Sequence, residues 1–542
     1  MKRDNKPFYD CIPRPVGIVI LLLMFVPPTF SGGAYLCNIS EMSGALSIYA
    51  EDIQAASFFT GIGMCLFPPM MVRFLQARRI KRTYIVCFAL LVPLNYICAV
   101  TSSVPLLLAA CLLTGFVRII VMLNCTFTIA PYLTGMDTLA MFTMTETPSE
   151  QVQYALERKR TFLMPVLYFF ILMISQLSNI VTAWFARNYH WQDAYYIVIA
   201  MLLVAILIVL CTMKDEPQKQ PYRIEWNKVP AMILMAVTLC SLTYILVYGK
   251  TLDWFDATSI RIAATLVLLG ATLFLLDALR QRGEPYLPLK VFTYRNVLMS
   301  ILLFVITIIF NSANSFVTSF TKISTAADNY QSAALSRYAI LGCLLGLITA
   351  LAMIVRKMRF RTLFCTAFLL MAAANACLYF QYQTEGLLDN MALPVVINYA
   401  GLLILYSVVA AFGMKKLPAH YLATFVFVMI WTRNAIAPPV GASTYTNRLN
   451  NKQQYYIARL AQNVDSENPL AAAAYTQTRR AAQAAGKSSV EAEQLAVTTL
   501  KGRIARQAGI SAMKDITGNT VILLIITAAL TLVLPYHKGE TT

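Results

Sequence analysis

The sequence predicts an all-α integral membrane protein that crosses the bilayer many times, and three observations predict it. Of its 542 residues, 58% are apolar and only 13% charged, whereas a soluble domain carries roughly 45–50% and about 25%. The apolar residues gather into runs of about twenty, the length that spans a hydrocarbon core about 30 Å thick at 1.5 Å per residue. Lys and Arg fall in short stretches between these runs, as in loops held on the cytoplasmic side. The net charge of +18 therefore reads as topology, and no nucleic-acid partner is expected. The three histidines show no metal-ligand spacing, so neither a metal nor another cofactor is expected.

Fourteen runs follow in order, near 15–36, 53–73, 83–100, 104–127, 162–185, 193–212, 229–249, 258–278, 297–321, 333–355, 361–381, 393–413, 419–441 and 518–535. Each is expected to be a helix, because a backbone facing lipid has no water to bond and must satisfy itself internally. Residues 1–14 lead directly into a full-length run without a small-residue cleavage site, so no cleavable leader is expected. Counting alternate connections as inner, the inner segments hold 27 Lys and Arg and the short outer ones three, Arg187, Lys250 and Lys322. That asymmetry places both termini in the cytoplasm and requires an even number of spans. Residues 446–516 form one long outer loop, rich in Ala and Gln, with helical pieces expected at 453–460, 481–485 and 490–505. Most cysteines sit inside apolar runs as space-filling thiols.

Between the eighth and ninth runs stands Pro285-x-x-x-Leu289-x-x-Phe292-x-x-Arg295. Arg433 to Gly441 is followed by Asn447-Arg448 and Gln453…Ala458-Arg459-Leu460, and Trp184 and His190-Trp191 flank the fifth run. In these features the chain resembles the fourteen-span drug:proton antiporters of the major facilitator superfamily, the EmrB/QacA type. The resemblance implies a major facilitator fold of fourteen transmembrane helices in a 6+2+6 arrangement. Residues 1–212 would form the first bundle, 213–290 two linker helices, and 291–542 the second bundle with the 446–516 loop. Alternating access would come from one bundle rocking against the other. The resemblance further implies proton-coupled efflux of amphipathic molecules from a bacterial inner membrane, with a periplasmic adaptor and an outer-membrane channel as partners.

The chain also departs from the pattern of that family. The loop form G-x-x-x-D-R-x-G-R-R becomes Met71 to Arg82, basic but without glycine or acid. The fourth-run R-x-x-Q-G becomes Cys111-Leu-Leu-Thr114-Gly115. The fifth-run Gly/Pro motif becomes Ser175-Gln176-Leu177-Ser178-Asn179, and Thr29 to Gly33 stand where many members carry an acid.

A charge at mid-membrane costs roughly 2.5–3.5 kcal/mol even on insertion scales, so each one needs a reason. Arg118, two turns from Cys111, is the first candidate for the cavity, and Arg433 the second. Pro438 and Pro439 are expected to bend or unwind the helix after Arg433. Ser175, Asn179 and Thr182 share one face of the fifth run, with Gln176 beside them, and Asn311, Asn314 and Ser315 form a similar set on the ninth. Asn124, Asn375 and Asn398 are single amides that serve either a cavity or helix–helix bonding, typically worth about 0.6 kcal/mol. Arg78, Arg79, Lys81 and Arg82 are candidates for an inner gate. Glu41, Glu51 and Asp52 are the remaining candidates for proton coupling, since the acids otherwise lie at span ends or in loops. Gly342 and Gly346 are read as a close-packing pair.

The composite expectation is a secondary exporter of amphipathic small molecules in contact with the lipid bilayer. An importer or facilitator without proton antiport is the alternative, and a receptor or scaffold acting through 446–516 is the alternative of another class. A membrane enzyme would need clustered acids, histidines or arginines at one membrane face, and the short outer loops carry none.

Overall fold

A computed structural model describes residues 7–71, 73–74, 79–134, 150–215, 225–280, 285–324, 327–384, 386–462, 464 and 468–534, with the side chains of 130–134, 150–156 and 419 outside that description. The first helices are α1 (Arg14–Phe30), α2 (Ile39–Leu46), α3 (Ala50–Leu66), α4 (Ile80–Val100), α5 (Val104–Thr134), α6 (Glu150–Asn188) and α7 (Asp193–Thr212). Then come α8 (Val229–Tyr248) and α9 (Thr258–Arg280). The second half holds α10 (Arg295–Ser312), α11 (Ser315–Ser324), α12 (Asn329–Ala334), α13 (Ser336–Val355), α14 (Phe360–Gln381) and α15 (Ala392–Met414). It ends with α16 (Ala419–Trp431), a π segment (Thr432–Ile436), α17 (Ala437–Ala461), α18 (Pro469–Ala484) and α19 (Ser489–Val533). Among the described residues the only β pairing is one bridge, Phe8 to Met213, which ties the N-terminal segment to the end of α7.

Twelve helical segments are long and apolar enough to cross a membrane among the described residues, two fewer than the fourteen expected. Helices stand at the other two places as well, in forms the run lengths did not foresee. The first is α1, only 17 residues, closed by Pro27 and Pro28 near its end. Pro28 has no N–H for the carbonyl four residues back, and the chain leaves the helix at Ser31. The second is the α16–π–α17 rod, whose apolar part is interrupted at Thr432. The ninth run is also divided, with α10 stopping at Ser312 and α11 restarting at Ser315.

Each half has its own apolar core. Phe25, Phe88, Val121 and Leu202 belong to the first, and Phe304, Phe364, Leu403 and Phe425 to the second. Small residues set the closest approaches. A Cβ on Gly63 would lie 2.0 Å from the Leu112 carbonyl, and one on Gly115 would lie 2.0 Å from that of Thr60, so α3 and α5 touch through backbone. Gly342 and Gly346 rest against the Val396 and Ala400 carbonyls of α15, which is the packing expected of that pair. Helix α8 packs on α3, and Gly270 seats α9 against Thr238 of α8. Between the halves, α6 lies on α13 and α15, and α3 lies on α16 and the π segment.

The segment 446–516 is more continuous than its composition predicts. Helix α17 runs unbroken to Ala461, and α19 begins at Ser489 and continues to Val533. At 1.5 Å per residue its 45 residues make a rod of about 67 Å, far beyond a hydrocarbon core of about 30 Å. Asn468 caps α18 by accepting from Leu470 N and Ala471 N. Ser488 and Glu491 form a reciprocal capping box at the start of α19. Helix α18 lies on α19 through alanines, with Ala482, Ala492 and Ala496 all buried.

Candidate functional site

A cavity of about 580 Å³ lies between the halves. Its wall is largely apolar (Phe25, Phe58, Met122, Leu167, Phe425 and Met429 among others) and carries four cations, Arg118, Lys159, Arg160 and Arg433. Among the described residues, no carboxylate lines it.

Arg118 comes from α5 and reaches the break after α1, where its Nη1 donates to the Ser31 carbonyl at 3.5 Å. Its Nε is buried without a hydrogen-bond partner among the described residues. The break is itself ordered by polar contacts. Asn95 Nδ2 donates to Ser31 Oγ at 2.7 Å, Tyr35 Oη to the Phe30 carbonyl at 2.8 Å, and Tyr195 Oη to the Gly33 carbonyl at 2.8 Å. Gly33 has φ +75°, and a Cβ there would meet Thr60 Oγ1 and Cys111 Sγ, so glycine is needed for both conformation and space. Irregular backbone at membrane depth is tolerated where it lines a cavity.

Arg433 enters from the opposite side on the π segment. Its guanidinium lies over the rings of Tyr168, 5.7 Å away, and Tyr406, 5.5 Å away. The N–H donors of a guanidinium lie in its plane, and this fork geometry suits bidentate capture of a carboxylate or phosphate. Arg118 and Arg433 line the same cavity from opposite halves.

The candidates of the fifth run divide. Ser175 and Asn179 line the cavity, as does Ser178. Thr182 instead docks the segment after α1, through Cys37 Sγ at 3.2 Å and by accepting at its carbonyl from Asn38 Nδ2 at 3.2 Å. Gln176 is buried. Asn398 Nδ2 donates to Asn311 Oδ1 at 3.2 Å, joining α15 to the end of α10. Asn314 sits at the break between α10 and α11, and Asn375 donates to the Met371 carbonyl of its own helix. Asn124 is buried with neither amide atom hydrogen-bonded among the described residues. None of these last six is among the lining residues.

The acids lie elsewhere. Asp52 is buried at the start of α3, where it accepts from Tyr49 N at 3.0 Å and from Tyr248 Oη of α8 at 2.5 Å. Glu41 accepts from Asn329 Nδ2 at 2.5 Å, across the two halves. Glu51, next to Asp52, is half-buried. Near Glu41, Asn329 also bonds Ser40, and Arg187 pairs with Asp328 at 3.4 Å while lying over Tyr330 at 5.2 Å. These contacts hold the halves together at the end away from Lys159 and Arg160.

Of the four gate candidates, Arg78 lies outside the described residues. Arg79 precedes α4, and its backbone carbonyl accepts from Thr83 Oγ1 at 2.9 Å. Lys81 donates to the Leu210 carbonyl at 3.0 Å and lies over Tyr9, and Arg82 pairs with Asp215 at 3.0 Å. These contacts stitch α4 to the end of α7 within the first half. The same end carries a network absent from the sequence reading, with buried Glu225 paired to Arg73 at 2.7 Å and to Lys228 at 3.1 Å. Lys159 and Arg160, read in sequence as topology residues, line the cavity.

A family model described as Major Facilitator Superfamily matches residues 20–442. The multidrug export protein EmrB of Escherichia coli (strain K12) is 24% identical over 305 residues, which cover 55% of this chain and 57% of that protein. The counterpart in Escherichia coli O157:H7 matches equally, so the match spans little more than half the length of these relatives. A mutant of the nucleoside transporter NupG superposes with a TM-score of 0.52 at 10% identity, covering 94% of this chain and 98% of the other. A peptide transporter POT in complex with sulfate gives 0.52 at 13% identity, covering 95% and 94%. At such identities the likeness is one of fold alone.

Proposed function

The chain belongs to the major facilitator superfamily, a multi-pass secondary transporter rather than an enzyme, and from that premise we propose that it exports amphipathic organic anions. One observation carries the reading: among the described residues, four cations and no carboxylate line a mostly apolar cavity between the halves. Apolar walls take a hydrophobic body of varied shape, and two guanidinium groups entering from opposite halves take an anionic head. Multidrug-type export from an inner membrane, both termini cytoplasmic, is supported by the partial match to EmrB and by the distribution of Lys and Arg. The same relationship supports a periplasmic adaptor and an outer-membrane channel as partners of the outer helical extension. With the basic ends inside, the contacts of Arg187, Glu41 and Asn329 close the outer side while the cavity reaches toward Lys159 and Arg160 on the inner.

A second reading, transport without proton antiport, is favoured by the placement of Glu41, Glu51 and Asp52 outside the lining. The test of the main reading is equilibrium binding to the detergent-solubilised protein. Taurocholate, a bulky anion, is expected to bind, and ethidium, a flat cation, is not. Arg118→Ala and Arg433→Ala should each weaken taurocholate about tenfold to a hundredfold, the range of a charge-assisted bond. Equal affinity for ethidium, or no loss in either variant, sinks the proposal.

A further inference from the structure

Resting on the anion-binding reading above, we infer that the carrier is an obligatory anion exchanger, in which Arg118 and Arg433 block the change of access unless an anion lies between them. The two guanidinium groups come from different halves, α5 and the π segment, and both line the one cavity. Lys159 and Arg160 line the same wall, and no carboxylate stands among the described lining residues. A change of access passes through a state in which both ends are closed and cavity water is excluded. Coulomb energy scales inversely with the effective dielectric constant, so that closure magnifies the repulsion between the two arginines. It also strips the water that solvated Arg118, whose Nε is buried without a protein partner among the described residues. A bound anion removes both penalties at once, because a buried charge is tolerated when it is paired.

The consequence applies to both legs of the cycle. The loaded carrier rocks, the unloaded one does not, and an anion leaving must be balanced by an anion returning. The halves need not be equally charged for this to hold, since both arginines share the one cavity. Glu41 and Asp52 are engaged with Asn329 and Tyr248, away from the lining, so the cycle closes without a proton moving in the opposite direction. Arg433 is steadied by Tyr168 and Tyr406, which are neutral and leave its charge in place for the incoming anion.

The experiment uses the full chain in proteoliposomes loaded with radiolabelled taurocholate. Both sides hold potassium polyglutamate, an anion too large for the cavity, with valinomycin to let potassium balance charge. Efflux is compared with and without unlabelled taurocholate outside. External taurocholate is expected to accelerate efflux about tenfold or more, the scale on which an unpaired buried charge disfavours closure, and an imposed pH gradient should leave the rate unchanged. Arg118→Gln, which keeps a polar donor but loses the charge, should lose most of that acceleration. Arg433→Gln is a second variant, and both are accepted only if monodisperse on size exclusion. Equal efflux with and without external taurocholate, or accumulation driven by the pH gradient, overturns the exchange mechanism. Failure of the anion reading shows separately, as no taurocholate binding in detergent before any flux is measured, and it removes this inference with it.

Discussion

At the scale of single residues, the acids Glu41 and Asp52 decide how much of the coupling chemistry this chain can carry. Asp52 accepts a bond from the Tyr49 backbone and another from Tyr248, so its carboxylate both caps α3 and ties α8 to it. Asp52→Asn keeps an acceptor at the same place and is expected to transport with an unchanged pH profile. Asp52→Ala removes the cap and leaves the Tyr248 hydroxyl unanswered, which should lower stability by about 1–2 kcal/mol, read as a drop in thermal midpoint with flux per folded molecule retained. A pH profile displaced by Asp52→Asn would instead make Asp52 the proton carrier. Arg118 and Arg433 were legible in sequence because a charge inside an apolar run has no cheap explanation. Lys159 and Arg160 were not, since at the end of a span the same charges satisfy the topology rule. The tyrosines that hold Arg433 carry no local signal at all; Tyr168 and Tyr406 are 238 positions apart and meet only through the fold.

At the scale of elements, the break in the α16–π–α17 rod follows from two prolines. Pro438 has no N–H to answer the Asn434 carbonyl, nor Pro439 that of Ala435, and π geometry stands where those bonds are lost. The freed Asn434 carbonyl turns to α3 of the other half, where a Cβ on Gly61 would lie only 2.2 Å from its oxygen. One turn along, Cys65 Sγ donates to the Ile430 carbonyl at 3.6 Å. Two backbones, one from each half, therefore meet here. Gly61→Ala should slow transport several-fold and Gly61→Val abolish it, because backbone cannot yield as a side-chain tip does. The measurement is flux normalised to monodisperse protein, and wild-type flux in Gly61→Ala would sink this account. The bend was legible from the prolines in sequence. The receiving glycine was not, since a lone Gly in an apolar run reads equally as packing against any neighbour. Likewise the division of the ninth run at Ala313–Asn314 had no proline to announce it. The fourteen runs placed the helices well, but hydropathy cannot show where a helix stops inside the membrane or how far it continues beyond it.

At the scale of the whole molecule, the helical extension made by the end of α17, α18 and the start of α19 is mechanically part of the second half. Lys452 of α17 pairs with Asp515 of α19 at 2.8 Å, and Arg506 of α19 donates to the carbonyls of Ser324 at 2.6 Å and Thr384 at 3.0 Å. Helix α19 then enters the second bundle and packs along α14 without interruption. Exposed ion pairs contribute only about 0–1 kcal/mol each, so it is the continuous helix that makes the connection stiff. If the halves rock during transport, the extension must travel with α14 and swing relative to the loop after α4. Spin labels at Ser488 and Gln383 should keep one distance whether or not taurocholate is present. A label pair at Ser488 and Ser102 should change distance by several ångströms on adding it, because a small rotation is amplified along a rod of about 67 Å. Pulsed electron–electron resonance on the full chain reads both pairs. A distance between Ser488 and Gln383 that broadens or shifts with ligand would show the extension hinging on its own. An adaptor seated on such a loose extension would not feel the transport cycle. With the rigid outcome, any partner bound at α18 is carried through each change of access, and the docking surface and the cavity report on one motion.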